Sequence, residues 1–277
     1  MLKNTFCHLP GVGAGTERSL WDKGVLTWED ALDAPQKLLG KNGDRLRRGA
    51  EESLARLESA DAAWFGGSLP ANMQWRLFDP FRCNAAYVDI ETTGLSWPSA
   101  HVTTIALYDG RQVRTYVHGR NLHDFAEDMA AYDLLITFNG KCFDVPFLER
   151  ALDMRMTAGH VDLRYVFRAL GLGGGLKHIE HCLGFDRGEL EGVDGYMAVL
   201  LWNLFRRTGD ERVLETLLAY NAEDVLTLEP LMYHAYNRHL AGTPFSQAAA
   251  LSVPPVAPNP FRASPRALRE ARSGAMF

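Results

Sequence analysis

Cysteine is scarce in this chain, and it never comes in close pairs. Cys7, Cys83, Cys142 and Cys182 are the four present among 277 residues. None forms a C-x-x-C pair, which excludes the common zinc spacings, and four scattered thiols in a chain this long make no disulfide framework. Free thiols in a reducing compartment are the expectation. No apolar run of about 18 residues occurs, so no membrane span is expected. Met1-Leu2-Lys3-Asn4 leads to Pro10 and Gly11 without an apolar signal core, and a soluble cytoplasmic protein follows as the expectation. Positive charge is not in excess either. The formal net charge is −5, which argues against holding nucleic acid by bulk charge alone. It leaves room for a carboxylate site whose bound cations reverse the local sign. No internal repeat is visible.

What is present divides the chain into four regions. Hydrophobic residues make up 47%, enough for a substantial core. Residues 1–65 read as a small helical module. Thr16 is a candidate cap for a helix through Trp21, and Thr27 for one through Leu32. A longer helix over 44–64 is predicted from the helical spacing of Leu46, Ala50, Leu54 and Leu57. Residues 66–83 hold Gly66, Gly67, Pro70 and Pro80 without periodicity and read as a linker, although Trp75, Leu77, Phe78 and Phe81 are too apolar for a free tether. Residues 84–240 switch to an α/β pattern. Strands are expected at 85–90, 101–108, 112–117 and 134–138, with a short one at 160–163. Asp109-Gly110 turns a hairpin between the second and third. The expected fold is a mixed sheet flanked by helices. Residues 241–277, with six prolines and Arg262, Arg266, Arg269 and Arg272, read as a disordered basic tail.

Three acidic motifs carry the chemistry. In Asp89-Ile90-Glu91-Thr92-Thr93-Gly94 the two acids are two apart on a strand, so both face one way. Adjacent carboxylates repel, and a divalent cation removes the conflict. The ordinary alternative is a solvated strand end. Asn139-Gly140-Lys141-Cys142-Phe143-Asp144 follows the strand at 134–138, where Asp144 is equally readable as the N-cap of the next helix. In Tyr220-Asn221-Ala222-Glu223-Asp224, Leu214, Leu217, Leu218, Val225 and Leu228 mark a helix. Tyr220 and Asp224 then share a face, one turn apart. Pro230 is expected to kink or end that helix.

Taken together over residues 84–240, these motifs resemble the DEDD exonuclease superfamily, with its RNase H-like sheet. The match is to its tyrosine branch (DEDDy), because Tyr220 lies four residues before Asp224, whereas the histidine branch places its residue five before. The whole arrangement also resembles a bacterial group of RNase H-like exonucleases. The resemblance implies a 3′-5′ exonuclease that hydrolyses single-stranded nucleic acid with two Mg²⁺ or Mn²⁺ ions. It implies that Asp89, Glu91 and Asp224 hold one ion, that Asp89 bridges to the second, and that Asp144 acts on the second through water. Tyr220 would position the attacking water. Two ions about 3.5–4 Å apart serve such a reaction by activating water and neutralising the leaving oxygen, and hard oxygen ligands suit Mg²⁺ or Mn²⁺ rather than zinc. Thr92, Thr93, Gly94 and Leu95 would lie beside the terminal nucleotide, with Asn139 positioning substrate or loop. A structure-specific endonuclease on the same site, or a non-catalytic nucleic-acid binder, are the alternatives. Nothing in the residues chooses between DNA and RNA.

Weaker signals complete the reading. Leu9-Pro10-Gly11-Val12-Gly13-Ala14-Gly15-Thr16 resembles the hairpin of a helix-hairpin-helix motif, whose backbone N–H groups can hold phosphate. The motif is incomplete, since only ten residues precede Gly11, and a tight turn between packed helices is the simpler explanation. The run Gly171-Leu172-Gly173-Gly174-Gly175 does not follow a long strand and is no dinucleotide fingerprint. It places Lys177 as a candidate phosphate contact. His178, His181 and Cys182 lack a second ligand pair for zinc. Asp162 is expected to be a local structural acid.

Overall fold

The structure, a computed structural model, describes residues 1–246 and 250–274. Its centre is a five-stranded sheet of β1 (Ala85–Thr92), β2 (Val102–Tyr108), β3 (Val113–Val117), β4 (Leu134–Thr137) and β5 (Gly159–Asp162), in the order β3-β2-β1-β4-β5. The first three strands are antiparallel neighbours, and β4 and β5 add in parallel on the other side of β1. The hairpin forms where expected. The Asp109 carboxylate accepts the N–H groups of Arg111 and Gln112, each at 2.9 Å, and Gly110 takes the positive φ the turn needs.

β1 is buried nearly throughout and reads differently on its two faces. Ala86, Val88 and Ile90 join Leu107, Leu135, Phe147 and Leu148 in one core. Ala85 and Tyr87 face the other way, into a core shared with Leu134, Val161 and Tyr236. By strand alternation the second face continues to Asp89 and Glu91. One side of a single strand therefore passes from apolar to acidic as it reaches the sheet's end.

The helices are α1 (Ala14–Asp22), α2 (Trp28–Asp33), α3 (Gln36–Leu39), α4 (Gly43–Glu58), α5 (Ala62–Ser68), α6 (Phe78–Phe81), α7 (Asp124–Met129), α8 (Asp144–Ala151), α9 (Leu163–Ala169), α10 (Leu176–Leu183), α11 (Gly195–Thr208), α12 (Glu211–Ala241) and α13 (Pro265–Gly274). Several differ from the sequence expectations. Thr27 caps α2 in a full capping box, but Gly13 caps α1, which leaves Thr16 inside that helix. The helix expected over 44–64 is two helices, broken where Ala60 takes a φ of 54° and Asp61 caps α5. Residues 66–83, read as a linker too apolar for a free tether, are packed on the body of the protein. They hold the end of α5, a 3-10 run at Ala71–Leu77, and α6, with Trp75, Leu77, Phe78 and Phe81 buried. Such tight turns carry no 3.6-residue period to read. Pro230 does not end its helix. α12 runs on to Ala241 because 20 of its 31 residues are buried, and that packing outweighs the roughly 3 kcal/mol cost of an interior proline.

The C-terminal region also differs from the disordered tail that was expected. Leu251 exchanges hydrogen bonds with Asn237, Asn259 donates to the Ala219 carbonyl, and the Ser264 N–H reaches Thr216. The segment thus runs back along α12. In α13, Ala267 and Ala271, one turn apart, are buried in the core formed by α11 and the first half of α12. The arginines stay outside, so composition alone concealed a packed alanine face. Gln247–Ala249 and Ala275–Phe277, parts of the same expectation, lie outside the described residues.

The N-terminal helices share the sheet's core. Phe6, Trp28 and Phe65 belong to the same cluster as Tyr87 and Tyr236. A buried ion pair pins them to the 3-10 run. Glu17 accepts from Arg76 at 2.7 Å and from the Phe6 N–H at 2.6 Å, while Trp21 and Trp75 both face the Arg76 guanidinium. Gly66 in α5 lies on β5, where a β-carbon would come within 3.2 Å of the Gly159 α-carbon. One on Gly159 would come to 2.6 Å from the Ala62 carbonyl oxygen.

Gly159→Ala is therefore expected to force helix and strand apart at a cost of about 1–3 kcal/mol. It should read as a lower urea midpoint at unchanged slope. Parent-like stability would show that α5 is not pressed onto β5.

Candidate functional site

The acidic end of β1 meets the middle of α12. Asp89 and Glu91 pair across to Ala106 and Thr104 of β2, and the register slips immediately afterwards, between Glu91 and Thr92. Asn221 brings helix and sheet together. Its amide nitrogen donates to the Asp89 carboxylate at 2.8 Å and to the Asp89 carbonyl at 3.2 Å, and its oxygen accepts from Thr104 Oγ1 at 3.0 Å. Sequence reasoning passed over this residue. A wholly buried asparagine inside an apolar helix was the available signal.

The result is a three-carboxylate cluster. Asp89, Glu91 and Asp224 each offer an oxygen within 4.8 Å of the others. Among the described residues it is the one such group of potential cation ligands. Asp144 is placed differently from the expectation. It is the first residue of α8 and not its cap, a position held by Phe143. Its carboxylate accepts the Ile90 N–H at 3.2 Å. Ile90 lies beyond the last β1 residue paired with β4, so Asp144 supplies the partner that the shorter strand cannot. Asp144 thereby stands beside the cluster, between its two β1 members.

Asp162 is the structural acid expected. It accepts the N–H groups of Asn139 at 2.8 Å, Lys141 at 3.0 Å and Arg164 at 3.0 Å, which fixes the loop leading to Asp144. Asn139 takes a φ of 70°, and its side-chain oxygen accepts from Arg164. Tyr220 is buried one turn before Asp224, and the ammonium of Lys177 sits 4.9 Å from its ring centre. Lys177 also donates to the Val193 carbonyl. Arg187, which the sequence reading did not single out, is buried against the site. It grips Glu180 with Nε and Nη2, at 2.6 and 2.7 Å, and its Nη1 lies 2.5 Å from Asp224 Oδ1.

The remaining candidates are spread along the loop after β1. Thr92 donates to the Gly94 carbonyl at 2.6 Å, and Thr93 accepts the His101 N–H at 3.0 Å, so both hydroxyls brace the loop itself. A β-carbon on Gly94 would meet Ala100 at 3.4 Å. Leu95 is 84% exposed, free to meet a ligand. His178 and Cys182 lie 3.6 Å apart, without further metal-type partners.

Electrostatics follow from this crowding. Burial, then the charges of Asp224, Asp144 and Glu91, push the Asp89 carboxyl well above the usual range, against the pull of the Asn221 hydrogen bond. Glu91 is raised by burial and then by Asp224 and Asp144. Burial raises Asp224, with Arg187 opposing. Asp144 is raised to about 7, chiefly by burial, although the Ile90 N–H favours its ionised form. The Tyr220 phenol is raised by burial and then by Asp224, Glu91 and Asp89, so it keeps its proton and can donate it in a hydrogen bond. Burial lowers Lys177. The donor set is hard oxygen throughout, which fits a small divalent cation, and Asp224 Oδ1 is already ion-paired with Arg187.

Comparison with known proteins adds family and fold. A family model of the RNase_H superfamily (RNase_H_2) matches residues 86–236. No curated protein matches the chain. Among solved structures, the family B DNA polymerase of the hyperthermophilic archaeon Pyrobaculum calidifontis is similar at 21% identity and a TM-score of 0.42. That likeness covers 61% of this chain and 27% of the polymerase, so the chain spans about a quarter of that protein's length. Brucella melitensis NrnC is similar at 16% identity and a TM-score of 0.39, covering 63% of this chain and 93% of NrnC.

The raised carboxyl of Asp144 has a readable consequence for stability. An ordinary aspartate loses its proton near pH 3.9, whereas Asp144 in the fold holds it to about 7. The folded state thus binds more protons than the unfolded chain between those values, and stability falls as pH rises through that window. In chelator, Asp144→Asn should equal its parent below about pH 4. It should be the more stable by a few kcal/mol, at most about 4, once the pH exceeds about 7. Urea melts across this range check it, and a constant difference at all pH values would contradict it.

Proposed function

Because the chain belongs to the RNase_H superfamily, we propose that it is a metal-dependent nuclease acting on single-stranded nucleic acid from the 3′ end. The observation that carries this reading is the approach of Asp89, Glu91 and Asp224 within 4.8 Å, where β1 ends against α12. Repelling acids held together by a framework of hydrogen bonds are what a divalent-cation site requires and what a mere nucleic-acid binder does not. Asp89, Glu91, Asp144 and Asp224 would hold Mg²⁺ or Mn²⁺. Cations bound there would activate water and neutralise the charge that develops on a phosphodiester.

The chain's own residues supply the rest. Asn221 fixes the Asp89 carboxylate, so its ligand oxygen needs no reorientation. Asp162 fixes the loop that delivers Asp144. Tyr220, protonated and one turn from Asp224, is placed to direct a hydrogen bond at an attacking water. Lys177, over the Tyr220 ring, brings positive charge to the side where a phosphate would arrive. Thr92, Thr93, Gly94, Leu95 and Asn139 border the path of the terminal nucleotide. The exonuclease direction rests on the resemblance of the three acidic motifs to the DEDD exonucleases, not on any spacing.

Incubating 5′-labelled linear and circular oligonucleotides, as DNA and as RNA, with Mg²⁺, Mn²⁺ or chelator tests the proposal. Stepwise shortening of the linear strands with metal, with circles intact, is expected. Cut circles would replace the exonuclease by an endonuclease, and cleavage in chelator would remove the metal.

Two substitutions separate the roles. Asp89→Asn should abolish cleavage and raise the melting temperature in chelator, since a repelling charge is removed while the Asn221 contact can persist. Tyr220→Phe should leave metal and substrate affinity nearly unchanged and slow single-turnover cleavage by up to about 10²–10⁴-fold, the usual worth of a positioned proton donor. Wild-type turnover in Tyr220→Phe would show that the phenol only packs.

A further inference from the structure

The planar fork of Arg187 is divided between two acids that play different parts. One edge is spent on Glu180, whose two oxygens take Nε and Nη2 at 2.6 and 2.7 Å. The other presents Nη1 to Asp224 Oδ1 at 2.5 Å. Glu180 is itself fastened, because its Oε1 also accepts from Thr227 Oγ1 at 2.5 Å. Thr227 lies three residues after Asp224 on α12. The path Thr227–Glu180–Arg187–Asp224 therefore leaves one turn of that helix and returns to the same turn. Its members are 1%, 2%, 7% and 6% exposed, so water competes at none of them.

The sharing of charge is specific. Glu180 offsets part of the guanidinium's charge at Asp224 and fixes the plane of the fork. The Nη1 contact is an ion pair to Asp224 Oδ1 whose N–H is not well aligned on the oxygen. We infer that Arg187 is the positioning residue for Asp224: anchored by Glu180, it holds that carboxylate facing Asp89 and Glu91 and so sets the affinity for the divalent cation. A lysine could keep the charge but not grip Glu180 with one edge while reaching Asp224 with the other. The inference rests on the proposed reading of the cluster as a cation site.

Calorimetric titration of the full chain with Mg²⁺ and with Mn²⁺ tests it, alongside melting curves in chelator. Arg187→Lys should remain folded and bind both ions about 10–100-fold more weakly, the range expected when a partner that orients a metal ligand is lost. Should that variant fail to fold, the paired change Glu180→Gln with Arg187→Met removes both buried charges together and should weaken binding likewise. Unchanged affinity in a folded variant, with only the melting temperature lowered, overturns the inference and leaves Arg187 as a fold-stabilising ion pair. Tighter binding overturns it too, showing that the guanidinium competes with the cation. If the parent protein itself shows no saturable binding of either ion, the reading of the cluster fails and the inference falls with it. That result is distinct from parent binding matched by the variants.

Discussion

Carboxylates brought within 4.8 Å of one another at the end of a buried strand repel, and much of the architecture is a reply to that repulsion. The acids cannot retreat, since β1 is central in the sheet and α12 is buried along most of its length. They are restrained from outside by two neutral donors, the amide of Asn221 and the N–H of Ile90, and by Arg187, whose positive charge is shared between Glu180 and Asp224. Such a site is held in shape before any cation arrives. Its strain is stored as displaced proton affinity and not as distorted backbone.

The N-terminal helices belong to the same economy of packing. Their aromatic residues enter the core that backs β1, and Glu17 and Arg76 lock them to the turn preceding that strand. Removing residues 1–65 would therefore uncover Phe81, which Phe65 meets, and leave Arg76 without Glu17. The loop at Pro10–Gly13 does lead into a helix capped by Gly13. The Arg45 guanidinium lies 3.2 Å from where a Gly11 β-carbon would stand, so this loop packs against α4.

How much could be read beforehand depended on the range of each interaction. Asp89 and Glu91 were legible because a two-residue period is local, and Tyr220 with Asp224 because a helical turn is local. The hairpin at Asp109-Gly110 was legible for the same reason. Asp144 was legible as a residue but not as a contact, because its bond to Ile90 depends on β4 being shorter than β1. Arg187 and Asn221 escaped notice, since each draws its meaning from partners in other elements, Arg187 from an acid 37 positions away (224 − 187). The packing of residues 66–83 was legible in part, from Trp75, Leu77, Phe78 and Phe81, whereas that of 250–274 was hidden for a different reason. Prolines and arginines break any period there, while burial rests on a few side chains such as Ala267 and Ala271.

The course of the C-terminal segment has a consequence for how the protein is made. Residues 259–264 lie on the same stretch of α12 that carries Tyr220 and Asp224, with Asn259 holding both the Ala219 carbonyl and Glu223. Synthesis is vectorial and slow beside helix formation. The sheet and α12 can therefore dock on the ribosome while that flank of the helix is still bare. Its cover arrives only when residues 259–264, which follow Asp224 by 35 or more positions (259 − 224), have been added. That flank of the helix therefore acquires its surroundings after the sheet and α12 can already be in place.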